Sequence, residues 1–357
     1  MSPLNPVRYS PDLEDIKPNE QEIVSGLNDA FDVILKRTAN DYGHAVRSVH
    51  AKAHGILSGT ITVKEGLPEE LAQGLFSRAG TYEVYMRMST NAGDILPDTI
   101  ALPRGLAMKV VGVEGPRLPG ADGSTQDFVM VNGPVFQAPN AEKFLGSLKM
   151  LAKTTDRMEG TKEVLSSVLQ TVNRGLDAVG ISSPAVQSLG GAPNIDPLGE
   201  TYFSVTPFRY GNYVAKFRLK PVSVGLTELT GREIDTSVSD DAIRETVQAE
   251  MRNIRGEWEF QVQLCRNVED QPIEDPTVEW RENEAPFATV AIVSAAPQDS
   301  WGDEKVAKVD EQMRFSVWTG LAAHQPLGNI NRARKLPYEH STEFRQSFNR
   351  CPIHEPR

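Results

Sequence analysis

Trp258-Glu-Phe-Gln-Val-Gln-Leu264 alternates strictly: Trp258, Phe260, Val262 and Leu264 share one side, glutamate and glutamine the other. A period of two marks a β-strand with one face against a core. Working outward, similar short runs recur at Gly55–Val63, Tyr82–Met88, Leu106–Val113, Gln126–Val131, Tyr202–Phe208, Tyr213–Leu219 and Ala288–Val293. Turn-rich connections such as Pro116-Arg-Leu-Pro-Gly-Ala-Asp-Gly123 separate the early runs, and Arg209-Tyr-Gly-Asn212 reads as a hairpin turn. Eight strands joined by meanders and long excursions predict an antiparallel barrel. Strand–helix–strand alternation is lacking, which disfavours a Rossmann or TIM fold.

Helices are additions to this frame, so the expected fold class is α+β in one domain. Ile23, Leu27, Phe31, Val33, Ile34 and Leu35 predict an amphipathic helix from Glu20 to about Ala45. Helical spacing also predicts a core-facing helix in Glu163–Val179, and another is expected near 240–253. Residues 1–20, with four prolines, read as a surface arm; 180–200 read as a long loop. From about 304 onward the chain reads as helical and polar.

Of 357 residues, 39% are hydrophobic, enough for a sizeable core. With 37 basic residues against 48 acidic ones the net charge is −11, which disfavours nucleic acid as a partner. Cys265 and Cys351 are the only cysteines, too few for a disulfide scaffold or a cysteine-based metal centre. No apolar run approaches the ~18 residues of a membrane span. The first residues lack a signal-peptide pattern, so a soluble, cytoplasmic protein is expected. Gly190-Gly-Ala has no phosphate-loop spacing.

Against this acidic background stand two basic clusters, Arg47-Ser-Val-His-Ala-Lys-Ala53 and Asn331-Arg-Ala-Arg-Lys-Leu-Pro-Tyr338. Alone, the first reads as a structural histidine and the second as a solvated helix on which Arg334 and Tyr338 share a face. Together they resemble the haem catalases. Arg47-x-x-His50 is similar to that family's distal-histidine motif, and Arg334-x-x-x-Tyr338, with Arg345 seven residues on, to its proximal motif. Between them, Met86-Arg-Met-Ser-Thr-Asn-Ala-Gly93, Pro103-Arg-Gly-Leu-Ala-Met-Lys109, Asn132-Gly-Pro-Val-Phe136 and Glu311-Gln-Met-Arg-Phe-Ser316 resemble family segments in the same order.

The resemblance implies a catalase-like barrel carrying haem b, with residues 1–45 as an arm and helix and 46–350 as the haem-binding core. The family's C-terminal flavodoxin-like domain is not expected. It implies Tyr338 as the iron ligand, a trait of catalases. His50 would be the acid/base that cleaves the O–O bond of a peroxide, and Ser89 would hold its tautomer. Arg47, Arg87 and Arg345 would meet the haem propionates, Arg334 would support the phenolate, and Val49 and Phe144 would contact the haem. For the family's distal asparagine, either Asn132 fills the role after a one-residue shift or the asparagine is missing, because Val131 holds the matching position.

The implied substrate is a small peroxide. Val49, as in catalases, stands where allene oxide synthases carry threonine. The alternatives on the same scaffold are a fatty-acid hydroperoxide isomerase or peroxygenase, and a non-catalytic haem-binding protein. An organic reducing donor is a further possible partner, and monomer or homo-oligomer is equally compatible.

Overall fold

The computed structural model describes residues 5–154 and 193–356. Its nine strands are β1 (Ala53–Val63), β2 (Gly80–Thr90), β3 (Arg104–Val111), β4 (Thr125–Val131), β5 (Tyr202–Phe203), β6 (Phe208–Tyr210), β7 (Tyr213–Pro221), β8 (Gly256–Leu264) and β9 (Phe287–Ala295). All pair antiparallel in the order β5-β4-β3-β2-β1-β9-β8-β7-β6. A further pairing of β5 with β7, Phe203 opposite Arg218, closes the ring into an eight-stranded barrel with β6 beside it. Closure leaves few unpaired edges, the usual hazard of a sheet.

The barrel is filled by the expected apolar faces. Trp258, Phe260, Val262 and Leu264 are all buried, and Phe260 stacks with Phe76 at 5.2 Å. The opposite face of β8 is covered as well, since Gln263 Nε2 donates to the carbonyls of Trp280 and Ala285. One expected strand is divided: Tyr202–Phe208 breaks into β5 and β6 where Val205 takes a φ of +53°.

Helix α1 (Glu20–Tyr42) buries Leu27, Phe31 and Leu35 at a spacing of four, while Val33, expected on that face, is 55% exposed. Gly43, with φ +62°, ends the helix in the left-handed conformation that glycine adopts without strain. Outside the barrel α1 packs with α2 (Ala141–Thr154), which the sequence reading did not anticipate, and the helix expected near 240–253 is α3 (Ala242–Met251), which lies against β1. Helices α4 (Asn329–Ala333) and α5 (Lys335–Asn349) complete the outer group. Leu27, Phe31, Ala141, Leu148 and Ile330 form its apolar centre.

The N-terminal arm lies on the barrel as expected, with Val7 N–H donating to the Cys265 carbonyl at 2.8 Å. The region from 304 is helical only in part: 312–328 is mostly turns and extended chain. The helix expected in 163–179 lies outside the described residues, as does most of the loop expected at 180–200. Among the described residues, no helix is long and apolar enough to cross a membrane.

Candidate functional site

Along β2, Met86 and Met88 point into the core, whereas Arg87 and Ser89 lie on the outer face of the barrel wall. Gly105, Ala107 and Val129 adjoin them through the pairings Ser89↔Gly105, Arg87↔Ala107 and Ala107↔Val129. The segment leading into β1 crosses this patch and brings Arg47, Val49 and His50 over it. Helix α5 adds Tyr338 and Arg345, and the result is a cleft of ≈ 580 Å³ including its solvent-connected mouth.

His50 is the most constrained residue of the cleft. Its φ of +53° is a backbone conformation that side chains other than glycine seldom take, and such strain clusters at functional sites. Arg87 braces it, with Nη1 donating to the His50 carbonyl (2.8 Å) and Nη2 to the Ala51 carbonyl (3.0 Å). The ring lies on Gly105, where a Cβ would stand 2.4 Å from Cε1 and 2.6 Å from Nδ1. Ser89 Oγ and His50 Nδ1 are hydrogen-bonded at 3.1 Å. Burial, followed by the charges of Arg87, Arg334 and Arg47, pushes the imidazole pKa down to about 3. The ring is therefore neutral at ordinary pH, and Ser89 and Gly105 fix its direction.

Tyr338 stands in the first turn of α5, beside Pro337, whose missing N–H is tolerated there. Its N–H donates to the Arg334 carbonyl (3.2 Å), and its carbonyl accepts from Thr342 Oγ1 (2.9 Å). Among the described residues, no group of three or more histidine, cysteine or carboxylate side chains is placed to hold a metal ion.

The arginines converge on a residue that the sequence reading missed. Asp310 Oδ1 accepts from both Arg47 Nη1 (2.5 Å) and Arg87 Nε (2.7 Å). Arg345 Nη2 donates to the carbonyls of Asp310 (2.7 Å) and Glu311 (2.9 Å). Burial raises the Asp310 pKa, but Arg87, Arg47 and Arg345 outweigh it and hold the carboxyl below its usual range. Burial, then Arg345 and Arg87, lowers that of Arg47. Asp310 is turned inward by a π-helical turn, Val306–Glu311, for which the sequence shows no periodic signal. Phe315, in one of the quoted segments, lines the cleft too.

Three expected site residues do not line it. Phe144 packs against Phe136 (5.3 Å between ring centres) in the apolar group that also holds Val49. Arg334 bonds Asn331 Oδ1 at 3.4 Å, near enough to His50 to act on its charge. Asn132 turns elsewhere: Oδ1 accepts from Arg104 N–H (2.9 Å) and Nδ2 donates to Glu200 Oε1 (2.6 Å).

No protein-family model matches the sequence, and no curated protein does. Among solved structures the chain is similar to catalase A from Saccharomyces cerevisiae, with a TM-score of 0.62 and 17% identity, covering 88% of this chain and 64% of that one. It is likewise similar to a fungal catalase, with a TM-score of 0.62 and 16% identity, covering 88% and 62%. The barrel with its outer helices has a catalase-like fold, and the chain spans less than two thirds of the length of either catalase.

Proposed function

We propose that the chain is a haem-dependent enzyme that consumes peroxide, of the catalase or peroxidase type. The observation that supports it most is that His50 and Tyr338, from opposite ends of the chain, line one cleft together with Arg47, Arg87 and Arg345. The residues fit a haem: a phenol donor, a cleft open to solvent, and three guanidiniums against the carboxylate of Asp310 and the neighbouring one of Glu311. That excess of positive charge suits a cofactor edge bearing two carboxylates. Bound there, haem iron would supply the Lewis-acidic, redox-active centre for the O–O bond.

The chain's own residues would divide the remaining work. Tyr338 would hold the iron, and Arg47 and Arg345 would take the carboxylates. His50 would accept the peroxide proton at its outer ring nitrogen and return it to the departing oxygen. Ser89 would keep Nδ1 fixed, and Arg87 would keep the histidine's backbone in place.

A second reading, for organic hydroperoxides, is favoured by the wall around His50. Val49, Leu106, Ala107, Val129 and Met130 line it, and Asn132 bonds Glu200 instead. Such a wall receives an alkyl arm more readily than it orders water.

With haem-loaded protein, peroxide loss should fall roughly 10²–10⁴-fold in His50→Ala while the haem is retained. Loss at the wild-type rate would refute the role given to His50. Dioxygen release against donor oxidation separates catalase from peroxidase turnover. Fast loss of an alkyl hydroperoxide, with little of hydrogen peroxide, would select the second reading.

A further inference from the structure

Asp310 has no part in the scheme above, yet it makes the shortest polar contacts at the arginine cluster. Its carboxylate is 14% exposed, between Arg47, equally covered, and Arg87, 2% exposed. Both guanidiniums donate to the same oxygen, Oδ1. The remaining donors meet backbone carbonyls: Arg47 Nη2 reaches Val309 (3.4 Å) and Met313 (3.0 Å), Arg345 reaches Asp310 and Glu311, and Arg87 reaches His50 and Ala51. Three cations at one cleft would repel one another strongly at such burial, and the carboxylate offsets one of them. The same negative charge opposes any further carboxylate that enters.

We propose that Asp310 is a built-in counter-carboxylate of this cleft: it holds Arg47 and Arg87 in place before a cofactor arrives, and it lowers the affinity for a cofactor bearing carboxylates. The proposal rests on the haem reading and adds to it a residue that sets cofactor affinity through charge. Position and charge are separable here because both arginines use one oxygen. An asparagine at 310 can keep Oδ1 as the shared acceptor while losing the charge. Alanine loses both.

The test is equilibrium titration of cofactor-free protein, followed by tryptophan fluorescence and Soret absorbance. The two probes are ferric protoporphyrin IX, with two carboxylates, and its dimethyl ester, with none. Asp310→Asn should bind the diacid on the order of tenfold more tightly than wild type, the scale of one charged contact. Its affinity for the diester should stay unchanged. Asp310→Ala should bind the diacid less tightly than Asp310→Asn. Should Asp310→Asn fail to fold, Asp310→Ser carries the same test, with a diacid-specific gain expected.

Equal or weaker diacid binding by Asp310→Asn, or by Asp310→Ser in its place, would overturn the proposal while leaving the haem reading intact. So would an equal gain for both probes. Failure of wild type to take up either porphyrin would overturn the haem reading and this proposal with it.

Discussion

Gly105→Ala is the substitution that bears hardest on the site. The new Cβ would stand 2.4 Å from His50 Cε1 and 2.6 Å from Nδ1, whereas ordinary contact begins near 3.4 Å. The imidazole must therefore retreat by about 1 Å, the difference between these distances. It cannot do so freely, because Arg87 holds the carbonyls on both sides of the Cα of Ala51 and Ser89 holds Nδ1 at 3.1 Å. A retreat along the ring plane breaks the Ser89 bond and tilts the proton-accepting nitrogen away from the cleft. A misplacement of 1 Å at a reacting group costs on the order of 10²-fold in rate. The crowding itself should cost roughly 1–3 kcal/mol of stability, which a folded domain of this size can absorb. The assay is peroxide loss by haem-loaded protein, with the Soret band and the thermal midpoint recorded on the same samples. Haem retained, a lower midpoint and a rate about 10²-fold down are expected. A folded variant with haem bound and a rate within twofold of wild type would refute the argument that Gly105 seats His50.

Asn132→Ala should act on stability more than on rate. It strips a partner from Arg104 N–H and from Glu200, a carboxyl that burial already pushes up to about 7, so a loss of about 1–3 kcal/mol is expected in chemical denaturation. A 10²-fold fall in rate would restore Asn132 to the catalytic group. Acid should weaken the fold through its buried histidines. His324 accepts from Leu75 N–H at 3.0 Å, and burial pushes its pKa down to about 4. The unfolded chain, with histidine near 6.5, takes the proton first. Its contribution is thus complete above about pH 6.5 and declines as the pH falls towards 4, at roughly 1.4 kcal/mol per unit. Denaturation midpoints between pH 7.5 and 4.5 should follow that trend, and His324→Gln should flatten it. Stability unchanged down to pH 4.5 would contradict the burial of a neutral imidazole.

The barrel was legible because a half-buried strand imposes a period of two, and Trp258 to Leu264 shows it without interruption. The break at Val205 was not, since a positive φ at valine is forced by tertiary packing and has no local composition signal. Helix α2 was missed although Ala141, Phe144, Leu145, Leu148 and Leu151 recur at helical spacing, so its period was present in the sequence. The helical pattern expected after 304 is interrupted across 312–328, where Gly320 sits against Gln126 and Gly328 needs a φ of +83°.

At the site, His50, Ser89, Arg47, Arg87, Tyr338 and Arg345 could be collected only through the resemblance of their segments to the catalases, and the fold brings them to one cleft. What spacing could not reveal was how they bond. The grip of Arg87 on the His50 carbonyl depends on strand register, and the turning of Asn132 towards Glu200 depends on where β4 ends. Asp310 was invisible for a related reason: in sequence it is one more acid in a polar stretch, and only the π-helical turn makes it the centre of three arginines.

Tyr338 and His50 serve one cofactor only if the loss of either changes the same bound haem. The most direct measurement is the absorption spectrum of haem-reconstituted protein, compared between wild type and Tyr338→Phe. A Soret band in the wild type, changed in position or much weakened by Tyr338→Phe, is the predicted result. No Soret band after reconstitution, or a spectrum that the substitution leaves unaltered, would contradict it.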